Sequence, residues 1–209
     1  MQEIQKLAGD VAARLNTLDD AGLDLLFREA HSHNGWQTRT VSRELLRSLW
    51  ELVRLAPTAF NGMPARLVFV TSVEGKERLR PCLSAGNVDK VMSAPVTVII
   101  GYDIAFWEQL PLLFPYADVR AMFSEDASAA QETAFRNSSL QGAWLMLAAR
   151  ALGLDCGPMS GFDAEALNSA FFTGTGIRSN FLCSLGYGKP EKLYPRLPRL
   201  AFEDACTFA

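Results

Sequence analysis

Histidine is almost missing from this chain: His31 and His33 are the only two in 209 residues. An H-x-H pair could begin a metal site, but no further histidine or paired cysteine is present to complete it, so no metal is expected. The four cysteines, Cys82, Cys156, Cys183 and Cys206, are widely spaced without a C-x-x-C pair, which argues against both a zinc site and a disulfide framework. We read them as reduced core residues of a cytoplasmic protein. No apolar run approaches membrane-spanning length, and the stretch MQEIQKLAGDVAARLNTLDD scatters charges through its apolar positions, unlike a secretion signal. Neither sign of charge dominates: 20 Lys+Arg against 23 Asp+Glu give a formal net charge of −3. That leaves no electrostatic footprint for nucleic acid. The usual catalytic and nucleotide motifs are absent as well. No G-x-G-x-x-G follows a strand, there is no P-loop and no H-E-x-x-H, and Ser160 sits at the wrong offset for G-x-S-x-G. An enzyme with so few reactive side chains would take its chemistry from a bound cofactor.

What is present suits one ordinary domain over residues 1–209, with 49% hydrophobic and 21% charged residues. Two short helices fit residues 1–30, where Leu15, Leu18, Leu23, Leu26 and Phe27 are arranged around an Asp19 or Asp20 cap. Ser42 can cap a helix with Leu45, Leu46, Leu49, Leu52, Val53 and Ala56 as one stripe, ended by Pro57. Residues 67–71, 95–100 and 181–186 read as strands, apolar enough for a sheet covered on both faces, and 74–83 as a short helix. A long helical segment over 126–152 has no charge between Arg136 and Arg150, and Gly153 is placed to end it. So much uncharged helix predicts burial nearly all round, hence a dimer interface. Asp163 can cap a further short helix, and the Pro- and Arg-rich tail reads as extended. The sum is an α+β fold with a small mixed sheet surrounded by helices.

Four segments carry a resemblance. The loop Ala56-Pro-Thr-Ala-Phe-Asn-Gly-Met-Pro64 on its own fits a helix-ending loop with Asn61 in a turn, but it resembles the A-P-S-x-x-N-x-Q-P loop of the FMN-dependent nitroreductase family. Asn87-Val-Asp-Lys90 before Ser93-Ala-Pro95 is similar to the family's second flavin segment, and Gly153-Leu-Asp-Cys-Gly-Pro-Met-Ser-Gly161 to its third. His31, Ser32 and Asn34 align with its R-x-S-x-R-like segment. The segments His31–Trp36, Glu132–Ser139, Cys156–Asp163 and Leu193–Arg199 resemble most closely the malonic semialdehyde reductase branch, associated with bacterial pyrimidine utilisation.

The resemblance implies an intertwined homodimer with FMN at the interface and ping-pong turnover. NAD(P)H would reduce FMN at N5, and an aldehyde, quinone or nitro acceptor would then take the hydride in the same pocket. For malonic semialdehyde the product is 3-hydroxypropionate; the alternatives are a general NAD(P)H nitro or quinone reductase and a non-catalytic flavin-binding protein. Implied flavin contacts are His31, Ser32 and Asn34, then Pro57, Thr58, Ala59 and Asn61 from the partner, and Asn87 and Lys90 at the pyrimidine end. Pro158, Met159, Ser160 and Gly161 would line the ring. Both arginines of the first segment are absent, which shifts phosphate binding to Arg196 and Arg199. Ser160 stands where many relatives carry an acid. Lys90 and Gly161 are the flavin-tuning candidates, and no side chain is expected to be catalytic in its own right.

Overall fold

The computed structural model describes Gln5 and residues 17–209. The chain divides into two compact units, residues 1–30 and 31–209. In the first, a helical turn at Asp20–Leu23 runs into a π-type turn at Asp24–Arg28. Asp19 is the cap, its carboxylate accepting from Gly22 N at 2.8 Å. Leu15 and the earlier expected helix lie outside the described residues.

The second unit holds a four-stranded sheet of order β1-β2-β4-β3, with β1 Ala65–Val70, β2 Val96–Asp103, β3 Asp155–Met159 and β4 Ile177–Gly186. Every neighbouring pair is antiparallel, so the expected mixed sheet is corrected. Among the described residues the parallel pairing is one bridge between Ser32 and Cys156, too short to form a strand. Five helices matter for the site: α1 Arg43–Val53, α2 Val73–Leu79, α3 Ala85–Ser93, α4 Ala127–Ala151 and α5 Ala164–Phe171. Val98 and Ile100 of β2 pack with Leu46, Leu49, Val53, Leu145 and Ala149 of α1 and α4. Ile99 packs on the opposite side with Leu79, Val91 and Leu167. Burial on both faces is why β2 reads as an unbroken apolar run.

Caps fall where the residue types predict. Ser42 accepts from Leu45 N at 3.1 Å, Asp126 from Ser128 and Ala129 N at 3.0 Å, and Asp163 from Ala166 N at 3.0 Å. Gly153, with φ +77°, takes the left-handed turn after α4. α1 stops at Val53, ahead of Pro57, and Leu52 is 37% exposed rather than part of a buried stripe. Within the single chain α4 is not covered all round: Phe135, Leu140 and Trp144 remain 49%, 50% and 40% exposed. The buried side carries Asn137, Ser138 and Gln141 among small apolar residues. Two of these are anchors, Asn137 Oδ1 accepting from Ala59 N at 2.8 Å and Gln141 Oε1 from Ala65 N at 2.9 Å. Lack of charge in α4 thus reflects neutral hydrogen-bonding groups turned inward as well as an apolar outer face. Three cysteines are buried, but Cys206 is exposed in the tail, which corrects its expected place in the core. Among the described residues, no helix is long and apolar enough to cross a membrane.

Candidate functional site

Three of the four segments converge at the β3 edge. Residues 32–33 run beside β3, where His33 N donates to Cys156 O at 2.9 Å. From α3, Asn87 Nδ2 donates to Gly161 O at 2.9 Å and Lys90 Nζ to Pro158 O at 3.2 Å. Ser84 N, at the start of α3, also donates to Gly161 O at 3.1 Å. The end of β3 and the residues just after it are therefore stitched to α3 by their own carbonyls. A side chain at Gly161 would meet Asn87 Nδ2 at 2.6 Å, so glycine permits the approach.

Lys90 is the unusual group. A lysine is rarely buried, yet this one is 7% exposed, and among the described residues its ammonium has one hydrogen bond, to a neutral carbonyl. Burial pushes its pKa below the ordinary lysine value, with a smaller opposing effect from Cys183. Beside it, His33 Nε2 lies 3.3 Å from Asp155 Oδ1, and Gly188 N donates to Asp155 Oδ2 at 2.7 Å. Desolvation alone would raise the Asp155 carboxyl, but His33 and Gly188 outweigh it and hold it below its ordinary value. An open groove of about 790 Å³ borders this cluster, with Asn34, Trp36, Asp89, Lys90, Lys189 and Tyr194 in its walls.

His31 is half-buried and Ser32, Asn34 and Ser160 are exposed around this centre, while Met159 is buried and Pro158 half-buried in β3. The remaining expected contacts are not gathered here. Within the chain the loop of Pro57, Thr58, Ala59 and Asn61 is tied to α4 through Asn137 and to residues 110–113 through Asn61 Nδ2, 3.0 Å from Leu113 O. Its backbone is strained: Phe60, Asn61 and Met63 have φ of 52°, 53° and 42°. Arg196 and Arg199 are exposed, and Arg199 donates to Leu197 O and Pro198 O in its own tail at 2.9 and 3.2 Å. Sequence reasoning missed Trp36, Asp155 and Gly157 and noticed His33 only as a metal candidate. All four lie inside the resembling segments 31–36 and 153–161, which was the available signal.

A buried cation beside a glycine-containing edge, next to an open polar groove, is an arrangement suited to an anionic or strongly accepting ligand. The chain belongs to the nitroreductase family, whose model matches residues 28–189. It is similar to a Burkholderia lata protein provisionally named NADH dehydrogenase/NAD(P)H nitroreductase, with 57% identity over 190 residues, 91% of this chain and 97% of that one. Among solved structures it resembles the Bacillus subtilis nitroreductase candidate ydfN, with a TM-score of 0.82 and 25% identity, covering 91% of this chain and all (100%) of that chain. A nitroreductase candidate from Exiguobacterium sibiricum, crystallised with FMN, has a TM-score of 0.81 at 23% identity over 93% of this chain and 99% of its own. The fold is thus nitroreductase-like and α+β.

Proposed function

We propose that the protein is an FMN-dependent NAD(P)H oxidoreductase that works as a homodimer, with malonic semialdehyde as its acceptor and 3-hydroxypropionate as the product. The observation that carries the flavin reading is Lys90, an ammonium kept out of water with donors to spare. Burying such a charge is costly unless an anionic or strongly accepting ligand completes its shell, and the pyrimidine edge of a flavin is one. Bound FMN supplies the hydride relay between NAD(P)H and the acceptor. Asn87 spends one Nδ2 hydrogen on Gly161 O, which leaves the second N–H and Oδ1 to offer the ring. Pro158, Met159, Ser160 and Gly161 line the ring, and His31, Ser32, Asn34, Arg196 and Arg199 serve the ribityl phosphate. Pro57, Thr58, Ala59 and Asn61 come from the partner subunit, which accords with their separate anchorage in the single chain.

The acceptor assignment draws on the four segments that resemble the malonic semialdehyde branch, and on Ser160. A neutral, exposed serine where relatives carry an acid removes a charge that would repel a carboxylate-bearing acceptor. The Burkholderia relative's name favours a second reading, a general nitro or quinone reductase. Purified protein should show a flavin spectrum that NAD(P)H bleaches, and steady-state turnover should favour malonic semialdehyde over a nitroaromatic. A spectrum without bleaching would leave a flavin-binding protein; faster nitroaromatic turnover would favour the second reading. Arg196→Ala with Arg199→Ala should weaken FMN binding in a fluorescence titration, and unchanged affinity would remove the tail from the phosphate site.

A further inference from the structure

Besides its bond to Pro158 O and a 3.5 Å bond from Ser93 Oγ to its carbonyl, Lys90 meets two residues outside the expected flavin contacts. Trp36, 4% exposed, donates its indole Nε1–H to the Lys90 carbonyl at 3.0 Å. The lysine side chain then crosses Gly157. A Cβ at 157 would stand 2.6 Å from Lys90 Cε, 2.5 Å from the His33 carbonyl oxygen and 3.1 Å from Trp36 Cζ2. These walls have little room to retreat. His33 N is bonded to Cys156 O at 2.9 Å, its ring faces Asp155 at 3.3 Å, and Asp155 is held by Gly188 N at 2.7 Å. A residue without a side chain at 157 therefore keeps open the slot that Lys90 uses to reach Pro158 O. A flexible lysine samples many rotamers, whereas a cation stabilises a developing charge best when it is already in place.

We propose that Trp36 and Gly157 are positioning residues for the Lys90 ammonium, the indole by fixing the lysine backbone and the bare glycine by leaving its side chain a path across β3. The inference rests on the flavin reading above and adds that the site's preference for reduced over oxidised flavin is set partly by residues that act through Lys90. The test is a double-mutant cycle on the FMN-loaded protein with Trp36→Phe, Lys90→Met and their combination, read as the flavin midpoint potential in a dye-coupled titration. Trp36→Phe should lower the ratio of reduced to oxidised flavin affinity by up to about tenfold, or about 30 mV, and should add nothing once Lys90 is Met. Gly157→Ala should shift the potential in the same direction. A wild-type potential in Trp36→Phe, or a shift undiminished in the Lys90→Met background, overturns the inference and leaves the flavin reading standing. If Trp36→Phe does not fold by circular dichroism, Gly157→Ala in both Lys90 backgrounds makes the same decision. Absence of flavin uptake by the wild type overturns the flavin reading and the inference with it, whereas an unshifted potential in flavin-loaded Lys90→Met overturns the inference alone and makes Lys90 a structural residue.

Discussion

A buried lysine with one carbonyl partner is held in place against the cost of its own desolvation, so removing its charge should be felt mainly where a ligand adds negative charge. A charged hydrogen bond contributes about 1.5–3 kcal/mol. If half of this is specific to reduced flavin, Lys90→Met should lower the midpoint potential by tens of millivolts, taking 30 mV as about 1.4 kcal/mol. Reduction by NAD(P)H should slow roughly tenfold per 1.4 kcal/mol lost in the transition state. Stopped-flow bleaching and a redox titration would check both; wild-type values would make Lys90 a structural residue only. Asp155 gives a prediction in pH. Its folded pKa is depressed by His33 and Gly188 despite burial, so its ionised form contributes stability above the ordinary carboxylate pKa of about 3.9. That contribution fades as pH falls through the folded value. In urea, wild type should exceed Asp155→Asn in stability at about pH 6, and the gap should narrow as pH falls below the ordinary carboxylate value of about 3.9. A gap independent of pH would deny the carboxylate that role. Among these residues Asn87, Lys90 and Gly161 were legible as motif, but burial of Lys90 was not, since Asn-x-x-Lys on a helix also describes a solvated face.

In helix α4 the lack of charge has two sources, inward neutral amides and hydroxyls and an apolar outer face. Its inward Asn137 and Gln141 hold the backbone of residues 59–65, and Asn180 of β4 bonds Ser138 and Ser139 Oγ at 2.7 and 2.9 Å. Asn137→Ala would leave the Ala59 N–H without its acceptor beside a strained loop, and should cost about 1–3 kcal/mol. A shifted urea midpoint with an unchanged slope would report this; an unchanged midpoint would mean that water replaces the amide. The same polar pairing explains why β4 starts at Ile177 rather than at 181: Arg178, Ser179 and Asn180 lack strand-like apolarity, and their tertiary partners are invisible to periodicity. β3 gives no strand signal in the sequence because Gly157 and Pro158 are poor strand formers; Pro158 is tolerated because β3 lies at the edge of the four-stranded order. Residues 59–63 mislead differently. Gly62, the residue best able to take positive φ, stays right-handed while Phe60, Asn61 and Met63 do not. A side chain at 62 would strike Phe106 at 2.8 Å, so glycine there is required by packing. Helices with clear caps and apolar faces were legible, since their signals are local.

For the molecule as a whole, the expected site is assembled from segments that a single chain does not bring together. The Pro57–Asn61 loop is engaged with α4 and residues 110–113, while the 31–34, 87–90 and 158–161 segments meet at β3. On α4, Leu140 and Trp144 are 50% and 40% exposed, a face that a second copy of the chain would cover. Burying each large apolar side chain contributes about 1.5–3 kcal/mol, whereas a carboxylate forced into the same place without a partner opposes association strongly. Leu140→Glu with Trp144→Glu should therefore convert a dimer into a monomer by light scattering, with little change in far-ultraviolet circular dichroism because both residues face outward. If the flavin is shared between chains, FMN should be lost in step with the dimer as protein concentration falls. A folded monomer that retains FMN at wild-type affinity would place the entire cofactor site within one chain and remove the Pro57–Asn61 loop from it. A wild-type protein that is monomeric at the start would leave the exposed face of α4 without its proposed partner and the flavin reading to Lys90 alone.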